Sequence, residues 1–347
     1  ELYNIRPDHR GAEAFFRDWL DYTETDTPIR ILGSPRLFLI ARDFIPPAYR
    51  YSQQVHEAIP ELWSSLLKTG QLTSAVLEEG SNGSARVLGV GLSVFVSDDF
   101  ADSTLSSPAP YLNNRLHEML LAGDSPLLSL RQIALANQNG GLNLLPLHFC
   151  TASVDIGDPD VLRTLSAAQD LFRIMHGGYR VKRVLKEVVN QNLCRFMQST
   201  GMNLECDFVQ AQPHLGLETL SASERPYLLS ANYCEMPLGS QMSLMFFTSP
   251  VRFHFSPAEQ KLLMCAMLRE TEDDIARDLG LSPDTLRKQW KSIFHRVIAA
   301  DPEFFPTESS GKLDEGVRGR GKRRQLLRYL QMHMEELRPH LQTTQRY

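Results

Sequence analysis

The segment from Ser256 to Val297 carries three helix starts at a spacing that leaves few folds open. Ser256-Pro257-Ala258-Glu259 places a serine N-cap, a proline at the first helical position and a glutamate at the third, which is a capping box. Leu262, Leu263, Ala266 and Met267 share one face of the helix that follows, and they predict it to about Arg269. Thr271 caps a second helix, with Asp274 at its third position and Ile275, Ala276 and Leu279 facing inward. Gly280 ends it, because glycine takes the left-handed backbone of a tight C-terminal turn at no steric cost. Ser282-Pro283 then opens a third helix. Leu286, Trp290, Ile293 and Val297 recur along it at helical spacing and need a core, which leaves Asp284, Arg287, Lys288, Lys291 and His295 on the opposite face.

Charge narrows what that face can do. The chain has a net charge of −5, so any nucleic-acid binding has to be local rather than spread over a basic surface. Residues 285–296 hold Arg287, Lys288, Lys291 and Arg296 with no carboxylate, and residues 312–328 hold seven Lys or Arg against Asp314 and Glu315. The run Phe255-Ser256-Pro257 … Ile275-Ala276 … Leu279-Gly280-Leu281-Ser282 … Thr285-Leu286-Arg287 … Arg296-Val297 resembles the LuxR (GerE-type) helix-turn-helix domain. The resemblance implies a transcription regulator acting as a homodimer on double-stranded DNA. On it, Arg287, Lys288 and Lys291 would read bases or hold the groove, while Ser282, Thr285 and Arg296 would meet the phosphate backbone. Arg269 and Gln289 stand where that family usually has glycine and histidine, and Trp290 is bulkier than usual.

The preceding 250 residues read as mixed α and β, so the expected class is α+β: a mixed α/β sensory or regulatory domain over 1–250, a helix-turn-helix domain over 251–300, and a linker with a helix over 301–347. Amphipathic spacing predicts helices at Gly11–Tyr22 and Pro60–Lys68. Thr73–Glu79 and Arg86–Val96, around Gly80-Ser81-Asn82-Gly83, predict a hairpin. Helical spacing returns between Tyr111 and Asn137, and Leu142–Phe149 reads as a buried strand. Asp158-Pro159-Asp160 reads as a helix start rather than a calcium loop, and Val181–Gln198 as a helix. Tyr227–Tyr233 and Met242–Thr248 read as a second hairpin. Thr307–Gly321 reads as a polar linker, followed by a helix over Lys322–Arg338 with Leu326, Leu327, Leu330, Met334 and Leu337 on one stripe and Lys322, Arg323, Arg324 and Arg328 near its start.

Chemistry is sparse in this reading. Cys150, Cys194, Cys206, Cys234 and Cys265 show no metal-ligand spacing and are expected as buried thiols of a reducing cytosol. The lack of a long apolar run predicts no membrane span, hence a cytoplasmic protein. His148 and Cys150 alternate onto one strand face, but no third group orients them, and packing is the expected role. The two hairpins, the strand Leu142–Phe149 and the turn His176-Gly177-Gly178-Tyr179 leading into a helix resemble a degenerate GNAT acyltransferase fold. In that family a glycine-rich turn offers amides to the acetyl-CoA pyrophosphate at a helix N-terminus. His176, Gly177, Gly178 and Tyr179 are therefore the candidate ligand-binding residues, although the family's usual arginine-glycine pattern is missing there. The sequence-based expectation is a regulator sensing a small molecule or a protein partner, not an enzyme, with no catalytic residue, cofactor or metal. The alternative is a GNAT-like acyltransferase tethered to DNA.

Overall fold

The computed structural model describes residues 29–30, 38, 41–79, 86–151, 164, 167–168, 172, 175–236, 239–246, 248–268, 271–305 and 315–340. The expected helix at 11–22, the hairpin turn at 80–83, the 158–160 helix start and the linker residues 307–314 lie outside them.

The fold is α+β. Strand β1 (Ile29–Arg30) is followed by α1 (Gln53–Lys68), β2 (Leu72–Glu79), β3 (Arg86–Val96), α2 (Asp98–Ser106), α3 (Leu112–Leu121), α4 (Leu130–Gln138) and β4 (Leu142–Thr151). Then come β5 (Val181–Val188), α5 (Gln191–Ser199), β6 (Asn203–Asp207) and β7 (Tyr227–Asn232). The seven strands form one sheet in the order β1-β2-β3-β4-β5-β7-β6, and β4 with β5 is its parallel pair. The β2–β3 hairpin pairs Leu72 with Val94 and closes with Glu79 opposite Arg86, after a register shift between Leu77 and Glu78 that leaves Leu88 as an extra residue.

Local capping explains most helix starts. Ser52, Ser97 and Ser129 each accept a backbone N–H from the third residue of α1, α2 and α4. Helix α3 starts differently: Tyr111 has a left-handed backbone (φ 61°) and caps nothing with its side chain. The buried carboxylate of Glu187 in β5 accepts from Leu112 N at 2.7 Å and Asn113 N at 3.1 Å instead, so a charge from the sheet satisfies the first amides of a helix.

Two expectations fail here, for one reason each. Val181, Val184, Leu185 and Val188 have helical spacing but form strand β5, because both faces of that strand are covered: Leu185 packs with Trp63 and Leu147, while Val181, Val184 and Val188 pack with Leu144 and Leu229. A fully buried strand carries no alternation to distinguish it from a helix. Residues Gln241–Phe246 form a 3-10 helix that buries Met245 and Phe246, so the second hairpin is absent, and β7 pairs with β5 and β6.

The C-terminal region contains α6 (Pro257–Leu268), α7 (Glu272–Leu279), α8 (Pro283–Ala300), α9 (Glu315–Met332) and a 3-10 turn at Met334–Leu337. Ser256 and Glu259 exchange both capping-box bonds, and Thr271 and Ser282 accept from Asp274 N and Thr285 N. Gly280 is left-handed (φ 63°), and Leu281 N donates back to Ala276 O, closing α7. Residues Glu315–Gly321, expected as linker, open α9. The stripe Leu326, Leu330, Met334 and Leu337 packs on Phe253, Leu263, Ile293 and Val297 of the same chain, but His333 breaks the helix ahead of its last two members. No described helix is long and apolar enough to cross a membrane.

Candidate functional site

Strands β4 and β5 are paired through Leu142–Val181, Asn143–Arg183 and Leu144–Val184, and the ladder ends there. The next turn of β4 contains Pro146, which has no N–H to donate and is at home only where a ladder is irregular. The β3–β4 register slips at the same place: Leu92 faces His148 and Ser93 faces Pro146, leaving Leu147 as an extra residue. The freed carbonyls go to side chains. Lys186 Nζ donates to Pro146 O and to Leu147 O, both at 3.1 Å, and Asn113 Nδ2 donates to Leu147 O at 2.8 Å.

A cavity of about 350 Å³ opens at the parted strands. Phe149, Phe172, Met175, Phe196, Met197 and Met245 make it largely apolar, and unbranched methionines let such a wall adapt to its contents. Gly91 and Ser93 of β3 line its floor, where small side chains leave the space open. Its polar wall groups include Ser93, His148, His176 and Lys186.

Both cavity histidines are neutral. His148 is buried, its Nε2 is 2.6 Å from the Tyr51 hydroxyl, and its Nδ1 has no partner among the described residues. Burial, with Lys186 nearby, holds its pKa well below the ordinary imidazole value. His176 Nδ1 lies 2.8 Å from Phe172 O, a carbonyl that can only accept, so Nδ1 carries the proton and Nε2 accepts from the Ser93 hydroxyl. Burial pushes the His176 pKa down to about 3.

The expected ligand turn has a different setting. Gly177 and Gly178 lead into β5 rather than into a helix, so no row of helix N-terminal amides is available there. A Cβ on Gly178 would lie 2.1 Å from Glu335 N, and Gly177 O accepts from Arg338 Nε at 2.7 Å. The Arg338 guanidinium lies 4.8 Å from the centre of the Tyr179 ring. A phosphate fits poorly against an occupied carbonyl and a backbone already in contact, so the residues present do not match a coenzyme A pyrophosphate at this turn. Of the four turn residues, His176 lines the cavity.

The expected DNA-facing residues divide in two. Arg287, Lys288 and Lys291 are exposed on α8, Arg287 in a surface pair with Asp284, while Leu286, Trp290, Ile293 and Val297 are buried beneath. Ser282 and Thr285 form the cap, their hydroxyls 2.8 Å apart. Arg296 is half-buried and donates to Glu259 Oε2 at 3.0 Å, which ties α8 to α6. Of the basic run in α9, Arg323 pairs with Glu272 and covers the Trp290 ring, and Lys322 lies over Phe305. Cys194 and Cys206 are buried, but Cys234 is exposed, against the expectation of buried thiols. Among the described residues no group of three His, Cys, Asp or Glu could hold a metal ion.

Residue-level reasoning missed Tyr51, Ser93 and Lys186. One signal was present: a proline inside the apolar run Leu142–Phe149 marks a place where a central ladder must fail.

No protein-family model and no curated protein matches this chain. Several solved structures resemble it. They include FeeM, an N-acyl amino acid synthase from uncultured soil microbes, at 12% identity over 62% of this chain and 97% of that one, with a TM-score of 0.33. A mosquito arylalkylamine N-acetyltransferase (like 5b) shares 11% identity over 59% of this chain and 99% of its own, with a TM-score of 0.34. A Drosophila melanogaster polyamine N-acetyltransferase shares 11% over 60% and 100%, with a TM-score of 0.28. These structures are a synthase and two acetyltransferases, in contrast to the expectation from sequence of a protein that is not an enzyme.

Proposed function

We propose that the sheet domain transfers an acyl group from a thioester to an amine, with the acyl chain in the cavity and the reacting carbonyl where β4 and β5 part. The observation that carries this reading is the apolar cavity opening where the β4–β5 ladder fails beside Pro146. Its 350 Å³ is many times the ~30 Å³ of a water molecule, room for a chain longer than acetyl. The neutral His148, one nitrogen at Tyr51 and the other without a partner among the described residues, is placed to hydrogen-bond an incoming group. The test is incubation of the purified protein with N-acetylcysteamine thioesters from acetyl to palmitoyl and a panel of primary amines. Thiol release coupled to N-acyl product, rising with chain length, supports the reading; no product from any pair overturns it.

We further propose that α8 binds double-stranded DNA through Arg287, Lys288 and Lys291, supported by their exposure on one face above a buried apolar seam. Retardation of random duplex, weakening steeply with salt, is the expected result.

A further inference from the structure

The hydrogen-bond chain Ser93–His176–Phe172 has the polarity of an activated nucleophile. The Phe172 carbonyl fixes the proton on His176 Nδ1, which leaves Nε2 as the acceptor of the Ser93 hydroxyl proton at 2.5 Å. The Ser93 proton is thus engaged by the ring, and the oxygen lone pairs stay available to the cavity. Ser93 is opposite Pro146, just past the last bonded β4–β5 pair, so its oxygen lies at the parted strands and not at the far end of the cavity. Gly91, two residues earlier and on the same face of β3, leaves the floor beside it clear: a Cβ there would come no closer than 3.8 Å to a neighbouring atom.

We propose that Ser93 is a nucleophile with His176 as its general base, and that acyl transfer in this cavity passes through an acyl-Ser93 ester. The proposal rests on the acyl-transfer reading above. In the first half, a bond forms between Ser93 Oγ and the thioester carbonyl carbon while the carbon–sulfur bond breaks. The hydroxyl proton moves to His176 Nε2 and on to the departing sulfur, which leaves as a thiol. In the second half, the amine nitrogen attacks the ester carbonyl, the carbon–oxygen bond breaks, and the amine proton returns through His176 to Ser93 Oγ. Burial favours the neutral ring at rest and makes the imidazolium a transient state, so the proton is handed straight on.

The test is mass spectrometry of the intact protein and of its proteolytic peptides after exposure to octanoyl N-acetylcysteamine without amine. An octanoyl mass gain on the peptide carrying Ser93, cleared when amine is added, is the expected result. Ser93→Ala should lose the adduct and the transfer, Ser93→Cys should carry the acyl group as a thioester, and His176→Gln should slow adduct formation about 100-fold or more. Thermal melting of each variant separates these effects from misfolding. Transfer by Ser93→Ala at the wild-type rate overturns the nucleophile and leaves the acyl-transfer reading standing as direct attack. Absence of both adduct and transfer overturns both.

Discussion

Arg338 Nε donates to the carbonyl of Gly177 at 2.7 Å although the two residues are 161 positions apart. The Arg338 side chain is buried, stacked on Tyr179, with Gln260 Nε2 donating to its backbone carbonyl at 2.7 Å. The pair therefore links the entry to β5 with the helical region. Replacing Arg338 by alanine should cost about 2 to 4 kcal/mol, because a charged hydrogen bond and a stacked ring contact vanish together. Lysine keeps the charge but not the planar fork and should recover only part of it. Denaturant midpoints of the two variants against wild type give the ranking.

Gly178 and Gly216 offer a matched comparison. Both are left-handed, at φ 80° and 64°, but a Cβ on Gly216 meets nothing, while one on Gly178 runs into the Glu335 backbone. Gly216→Ala should cost only the conformational term of roughly 1 to 2 kcal/mol. Gly178→Ala should cost clearly more, since two backbones have to separate, and should raise amide exchange across Met334–Leu337. Equal melting temperatures for the two variants would contradict this packing.

Acid should unfold the sheet domain early. Burial holds His117 at about 4 and His176 at about 3, and moves His148 the same way. A histidine whose folded pKa lies below its unfolded value near 6.5 binds fewer protons when native, so its contribution is complete above 6.5 and is lost as pH falls toward 4. His117 and His176 should each remove about 2 kcal/mol between pH 6.5 and 5, and His148 adds a loss in the same direction. Burial raises Glu187 and Glu336 above the ordinary 4.5, and these act oppositely: their contribution is present at low pH and declines as pH rises through the raised values. Trp63 Nε1 donates to His117 Nε2 at 2.9 Å, a bond that a glutamine oxygen can accept. His117→Gln should therefore flatten the pH 5–6.5 slope of stability by one histidine's share, as chemical denaturation at each pH will show.

The α8 face should separate binding from folding. Lys288→Glu with Lys291→Glu should leave melting within about 0.5 kcal/mol and abolish retention of duplex DNA, both side chains being exposed. Leu286→Asp buries an unpaired charge and should unfold α6–α8. Circular dichroism melts and salt-dependent gel retardation of the same preparations distinguish the two outcomes.

Where structure is local, sequence reading succeeded. Ser256, Thr271, Gly280 and Ser282 set helix ends through bonds spanning three to five residues, so their meaning is carried in place. The β2–β3 hairpin was legible because one strand faces two different environments. What failed was everything fixed by distant partners. β5 reads as a helix because covering both faces erased its alternation, and His176 reads as a phosphate turn because nothing near it announces Arg338. Ser93 looks like any small residue of an alternating strand until His176 is placed against it, 83 positions later.

The strap from Met334 to Arg338 also sets an order of events. Its amide and side chains complete the turn before β5, and Glu336 accepts the amides of Arg252 and Phe253 at 2.7 and 3.0 Å. On a ribosome, β5 would be made well before those partners emerge. The middle of the sheet would thus wait, with its turn unclosed, until residues 334–338 have been synthesised, so a nascent chain halted before Met334 would expose the unfinished entry to β5 to chaperones and proteases.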